Sequence, residues 1–95
     1  MPVSAAAQLS GPWRLSPQVA LRPESFGALA YHFGNRRLSF LKSRELLDVV
    51  KRLEAEPDPH AACRAAGVGE EEWPSYRQAL ARLAESEMIV PREAA

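Results

Sequence analysis

The groups that could do chemistry in this 95-residue chain are few: His32, His60, Cys63 and the acidic run Glu70, Glu71 and Glu72. The two histidines fall in different elements, no Ser-His-Asp spacing or glycine-rich phosphate loop accompanies them, and no pair of acids lies beside a base. Three successive helix positions point in different directions, so the glutamate run suits a solvated helix start far better than a metal site. Cys63 is the only cysteine, which excludes an internal disulfide and a thiolate-rich metal centre. It lies in the Ala-rich stretch HAACRAAG, where a small buried apolar role is expected. The expectation is a protein with no catalytic residues, no metal and no cofactor: not an enzyme.

Binding is better supplied. In FGALAYHFGNRRLSFLK, Phe26 to Lys42, Gly34-Asn35 reads as a two-residue type II′ hairpin loop, with Gly34 at the position that needs positive φ. This loop pairs Phe33 with Arg36, Tyr31 with Leu38 and Leu29 with Phe40. Leu29, Tyr31, Phe33, Leu38 and Phe40 then share one oily face, while Ala28, Ala30, His32, Arg37, Ser39 and Leu41 share a mixed one. The oily face is expected to back onto a core, so that the Leu38 and Phe40 side chains serve packing. If Arg36 to Leu41 is the sheet edge, its unpaired backbone N–H and C=O groups can hydrogen-bond an extended peptide, side chains of the adjacent helix supplying pockets. Arg36 and Arg37 would blunt that edge in the free protein and attract an acidic peptide.

The elements that must position this edge follow from turn and cap signals. Residues 1–12 have no hydrophobic period and are expected to form a flexible tail. Trp13 to Leu15 and Val19 to Arg22 are short alternating runs ended by Pro23, giving about three strands with the hairpin. Ser43 is the expected cap of a helix running to Ala55, with Leu46, Leu47, Val49, Val50 and Leu53 at helical spacing before Pro57 and Pro59. Asp58-Pro59 opens a short second helix, His60 to Ala66, stopped by Gly67. A third helical segment covers Glu70 to Glu87, kinked or restarted at Pro74, with an apolar stripe of Tyr76, Leu80, Leu83 and Ala84 and with Trp73 anchoring its entry. Met88 to Val90 returns as an apolar tail against the core, leaving residues 91–95 as a C-terminal tail. The order is an α+β domain, residues 13–90, with a three-stranded antiparallel sheet followed by three helices and a winged-helix-like arrangement.

Charge and size set the class of partner. The formal charge is zero, but residues 1–52 balance at +5 and the remainder at −5, which steers an acidic partner toward the hairpin. The Ala-rich start lacks a basic region and no segment approaches a membrane span, so a cytoplasmic protein that binds no membrane is expected. A winged-helix DNA-binding regulator is the rival reading, with Arg64, Arg77, Gln78 and Arg82 as donors to phosphates and bases. Glu70 to Glu72 at the start of the third helix and the zero net charge argue against nucleic acid. Edge strands also invite dimerisation, so a homodimer masking the edge stays open.

The run WRLSPQVALRPESFGALAYHFGNRRLSFLKSREL, Trp13 to Leu46, closely resembles the small peptide chaperones of the mycofactocin pathway, the MftB family. The likeness extends more weakly through AAGV and the third helix to SEMIVPRE. These chaperones are similar to the PqqD-like RiPP recognition elements, which have a winged-helix-like β3α3 fold and no chemistry of their own. The resemblance implies a protein that binds the leader of a ribosomally made precursor peptide and presents it to a radical S-adenosylmethionine (radical SAM) maturase. That maturase decarboxylates and crosslinks the precursor's C-terminal Val-Tyr on the way to a redox cofactor. It also implies that the leader joins the sheet beside the third strand, at Arg36, Arg37, Leu38, Ser39, Phe40 and Leu41, against a helix wall drawn from Tyr76, Arg77, Leu80, Leu83 and Ala84.

Overall fold

The computed structural model describes residues 9–92. Strand β1 (Trp13–Leu15) leads into an antiparallel three-stranded sheet of β2 (Val19–Glu24), β3 (Gly27–His32) and β4 (Leu38–Leu41), in spatial order β2-β3-β4. Helices α1 (Arg44–Arg52), α2 (Pro59–Ala65) and α3 (Trp73–Glu85) follow, and β5 (Ile89–Pro91) returns to pair with β1. The α+β, winged-helix-like order read from the sequence is the observed one. The strand count differs: Trp13–Leu15 is not part of the main sheet, and the expected apolar tail is its partner strand, with Met88 and Ile89 buried.

Local chemistry sets the boundaries. The Ser43 hydroxyl accepts from Leu46 N at 3.0 Å and caps α1. The helix tightens into a 3₁₀ turn over Leu53–Ala55. Asp58 caps α2, accepting from Ala61 N at 2.7 Å, with Pro59 in its first turn, and Gly67 ends it with φ +87°. Glu70–Glu72 form a separate 3₁₀ turn, and α3 restarts at Trp73 with Pro74 in its first turn, where the missing N–H costs nothing.

The expected tail falls largely on residues 1–8, outside the described residues. Leu9 packs against the core and Ser10 O accepts from the Trp13 indole at 3.2 Å. At the other end Arg92 donates from Nε to Trp13 O at 3.1 Å and from Nη2 to Glu56 O at 2.7 Å. It thereby ties the β1–β5 ribbon to the turn after α1. Residues 93–95 lie outside the described residues.

Two expectations about the hairpin are corrected. The loop has four residues rather than two: His32 N bonds to Arg37 O at 2.9 Å and Arg36 N to His32 O at 2.8 Å. The left-handed residue is Arg36, φ +62°, and Gly34 is not among the positive-φ residues. Buried His32 stabilises this wider loop, its Nδ1 accepting from Gly34 N and Asn35 N, each at 3.0 Å. A two-residue and a four-residue loop centred on the same bond preserve one register, so Tyr31 pairs with Leu38 and Leu29 with Phe40 as expected.

The second correction is the face. Ala28, Ala30, His32 and Leu41 are the buried side, while Tyr31, Phe33, Leu38 and Phe40 are 37–62 % exposed. The oily face turns away from the core because α1 must lie close against the sheet, bringing Leu46, Val49 and Val50 into the core cluster with Ala28 and Ala30. At close-packed density, alanines on the inner side of β3 leave room for those helix side chains, whereas a face of Tyr and Phe would not.

Candidate functional site

Hydrogen-bond alternation decides which groups the sheet leaves free. Phe33 N bonds to Gln18 O on the β2 side and His32 N to Arg37 O on the β4 side. Odd residues of β3 therefore face β2 and even ones face β4. On β4 it follows that Ser39 and Leu41 point their backbone groups at β3, opposite Ala30 and Ala28, while Leu38 and Phe40 point theirs outward. Strand addition at this edge would run through the N–H and C=O of Leu38 and Phe40.

The opposite edge is nearly closed. The outward positions of β2 are Val19, Leu21 and Pro23. Pro23 has no N–H, and Val19 N is already bonded to Ser16 O at 3.0 Å. Only Leu21 offers a donor there, so β4 is the edge with a usable ladder.

Beside β4 runs a groove. One part, of about 270 Å³, is lined by Ser39, Phe40, Lys42, Leu46, Ala79, Arg82 and Leu83. A second, of about 190 Å³, shares Lys42, Leu46 and Ala79 and adds Ser43, Ser75 and Tyr76. Its floor is apolar and its rim carries Lys42 and Arg82. Among the described residues neither of these, nor Arg36 or Arg37, has a carboxylate partner. Burial, chiefly, pushes the Tyr76 phenol above its ordinary 10.0, with the Ser43 hydroxyl pulling it back down and Glu72, Glu45 and Cys63 raising it, so at neutral pH it is a hydrogen-bond donor. Asn35 holds the hairpin loop to the far end of α3, donating from Nδ2 to Ser86 O at 3.0 Å.

The residues expected at the site divide accordingly. Leu38, Ser39 and Phe40 lie on the edge and Arg36 and Arg37 on the loop leading to it, while the side chain of Leu41 is buried. Tyr76 and Leu83 line the groove. Leu80 is fully buried, Arg77 is exposed outside the groove lining, and Ala84 is half-buried against the core. Sequence reasoning did not assign to the groove Lys42, Ser43, Leu46, Ser75, Ala79 or Arg82. The last two follow Ser75 and Tyr76 at helical spacing, a stripe beside the core stripe and polar enough to pass as solvated surface.

A larger hollow of about 560 Å³ is bounded by Arg14, Glu54, Pro91 and Arg92. Its lining is mainly charged, and Arg92 is committed to the β1–β5 ribbon, so the mainly apolar β4–α3 groove is the better candidate for binding peptide side chains. Cys63 is buried, and its thiol is pushed up to about 11, by burial first and by Glu70 second, which leaves it inert. The described residues contain no cluster of three or more His, Cys, Asp or Glu side chains able to hold a metal, and no helix among them is long and apolar enough to cross a membrane.

Comparison with known proteins gives a consistent picture. The model of the peptide chaperone MftB family matches residues 12–90. The chain is 60 % identical over 82 residues to the peptide chaperone MftB of Mycobacterium ulcerans, covering 86 % of this chain and 75 % of that one. It is 58 % identical over 81 residues to that of Mycobacterium tuberculosis (85 % and 74 %) and 53 % identical over 79 residues to that of Mycolicibacterium smegmatis (83 % and 78 %). No solved structure matches.

Proposed function

The chain belongs to the peptide chaperone MftB family and is not an enzyme, and we propose that it binds the leader of the mycofactocin precursor peptide by strand addition to β4. The observation that carries this reading is the open backbone of Leu38 and Phe40 beside the groove of Lys42, Leu46, Ala79, Arg82 and Leu83. An extended leader bonds to those groups. Its residues alternate between the groove and the outer face of the sheet, which gives a period-two specificity. Arg36, Arg37, Lys42 and Arg82 attract an acidic segment and orient its approach.

In this proposal the chaperone delivers the peptide, in the cytoplasm, to a radical SAM maturase, which decarboxylates and crosslinks the C-terminal Val-Tyr. The chaperone supplies no reacting group. Holding the leader raises the effective concentration of the core peptide at the enzyme, a gain in encounter rather than in transition-state stabilisation.

Isothermal titration with a synthetic leader tests it, with a non-specific DNA duplex at the same salt as control. Saturable 1:1 peptide binding with silence toward DNA is the expected result. Binding of the duplex without the peptide would instead assign a winged-helix DNA binder.

A further inference from the structure

We propose that the outer face of the three-stranded sheet is the docking surface for the enzyme that takes over the bound peptide, an inference that rests on the strand-addition reading above. Phe26, Tyr31, Phe33, Leu38 and Phe40 are all more than a third exposed. Two ring pairs organise them: Tyr31 and Phe33 meet edge to face with centroids 5.2 Å apart, and Phe26 and Phe40 lie tilted at 6.2 Å. Half-buried Leu29 sits between them on the same side, opposite Phe40 and Arg22. Three strands span about 14 Å across and the six residues of β2 and β3 about 20 Å along. That makes an apolar pad of roughly 300 Å², on the scale of the largest patch a monomer carries and commonly a functional one.

Charge selects the occupant. Arg22 stands on this face opposite Leu29, Arg36 and Arg37 lie on the exposed loop at its end, and the only carboxylate between Val19 and Leu41 is Glu24, already 3.0 Å from Arg22. A second copy docked face to face would set one basic rim against another. A partner with an apolar centre and a carboxylate rim is complementary.

Continuity selects it further. A peptide added beside β4 leaves this face open and enlarges it, because leader residues opposite Leu38 and Phe40 point to the same side. The pad alone falls well short of the roughly 800 Å² per partner of a stable interface. The pad together with the bound strand forms one larger surface, so leader and enzyme binding reinforce each other.

The test titrates purified maturase against wild-type protein and a Tyr31→Thr, Phe33→Ser variant, each with and without leader. Both altered side chains are exposed and neither lines the groove. The expected result is leader affinity within twofold of wild type, maturase affinity weakened at least tenfold, and wild-type maturase binding at least threefold tighter when leader is present. Arg22→Glu, on the rim, should slow maturase association without touching the rings. Unchanged maturase affinity in the double variant, with leader binding intact, overturns the docking face alone. A folded variant that loses the leader as well also overturns it, assigning the face to the peptide. Wild-type binding to phosphatidylglycerol vesicles that the variant loses, with maturase affinity unmoved, overturns it in favour of a lipid surface. Absence of leader binding by the wild-type protein is a different result, and overturns strand addition together with the coupling.

Discussion

Two prolines placed one residue apart on β4 should have opposite effects. At Ser39 the N–H points at β3, opposite Ala30, so Ser39→Pro removes a ladder bond and leaves the Ala30 carbonyl unpaired in a buried position. A lost bond plus an unsatisfied acceptor costs about 2–4 kcal/mol. For a domain of this size that lowers Tm by about 10–25 °C. At Phe40 the N–H points outward, so Phe40→Pro breaks nothing in the free protein but removes a donor that an added strand needs. Compared with Phe40→Ala, which removes the same ring, the proline variant should melt within about 1 kcal/mol yet bind leader about tenfold more weakly, the value of one hydrogen bond at an edge where water can reach the acceptor left behind. Thermal melts and peptide titrations of the three variants check this. Equal leader affinity of Phe40→Pro and Phe40→Ala, or a Ser39→Pro protein as stable as wild type, would refute the assignment of the free edge.

Other expectations follow from single contacts. Gly27→Ala places a Cβ against Leu41 O and 2.9 Å from both Ser43 N and Ser43 O; fixed backbone on that side should make the change cost about 3 kcal/mol, seen as a large drop in denaturant midpoint. Arg36→Gly relieves the left-handed residue at φ +62° and should hold or raise stability by up to about 1 kcal/mol, while lowering the salt dependence of leader association in stopped flow. Arg92→Ala removes two side-chain donors to Trp13 O and Glu56 O and should cost about 1–3 kcal/mol in a denaturant melt. The Cys63 thiol, raised from 9.0 to about 11, should resist alkylation at pH 8 in native protein and react once the protein unfolds. Because the folded state favours the neutral thiol, its contribution to stability is complete below pH 9 and is lost as pH rises through about 11, a loss that Cys63→Ala should abolish in pH-dependent melts.

Helices were the legible part of the fold. Ser43, Asp58, Gly67 and Pro74 each carry a local signal that acts within one turn of chain, so caps and stops could be placed without tertiary knowledge. The hairpin register was legible too, because turn position and side-chain parity constrain each other. Its face was not. Alternation in GALAYH and LSFL separates two sides but does not say which one a helix covers, and summed hydrophobicity favours the wrong one. The decisive fact is steric and lies outside the hairpin: α1 brings Leu46, Val49 and Val50 against the sheet, and only Ala28 and Ala30 leave them space. The β1–β5 pairing, spanning most of the chain, has no local signature at all.

The same parity argument explains why one edge of this sheet and not the other is open. Pro23 read from sequence as a strand terminator, yet it sits inside β2, where its missing N–H faces away from β3 and so costs no ladder bond. Its effect is on the outside: with Val19 N taken by Ser16 O, β2 keeps a single outward donor at Leu21 and offers no ladder to an incoming strand. On β4 no proline intervenes, and the charges of Arg36 and Arg37 stand on the loop before Leu38 rather than between Leu38 and Phe40. An unblocked edge is a hazard for self-association unless its occupant is specified, and in the proposed function the neighbouring groove with Lys42 and Arg82 supplies that specification. Pro23→Val should therefore restore a second usable edge, and the expected outcome is concentration-dependent association in sedimentation velocity while the leader still binds one to one; a strictly monomeric variant would show that proline at this position has no blocking role.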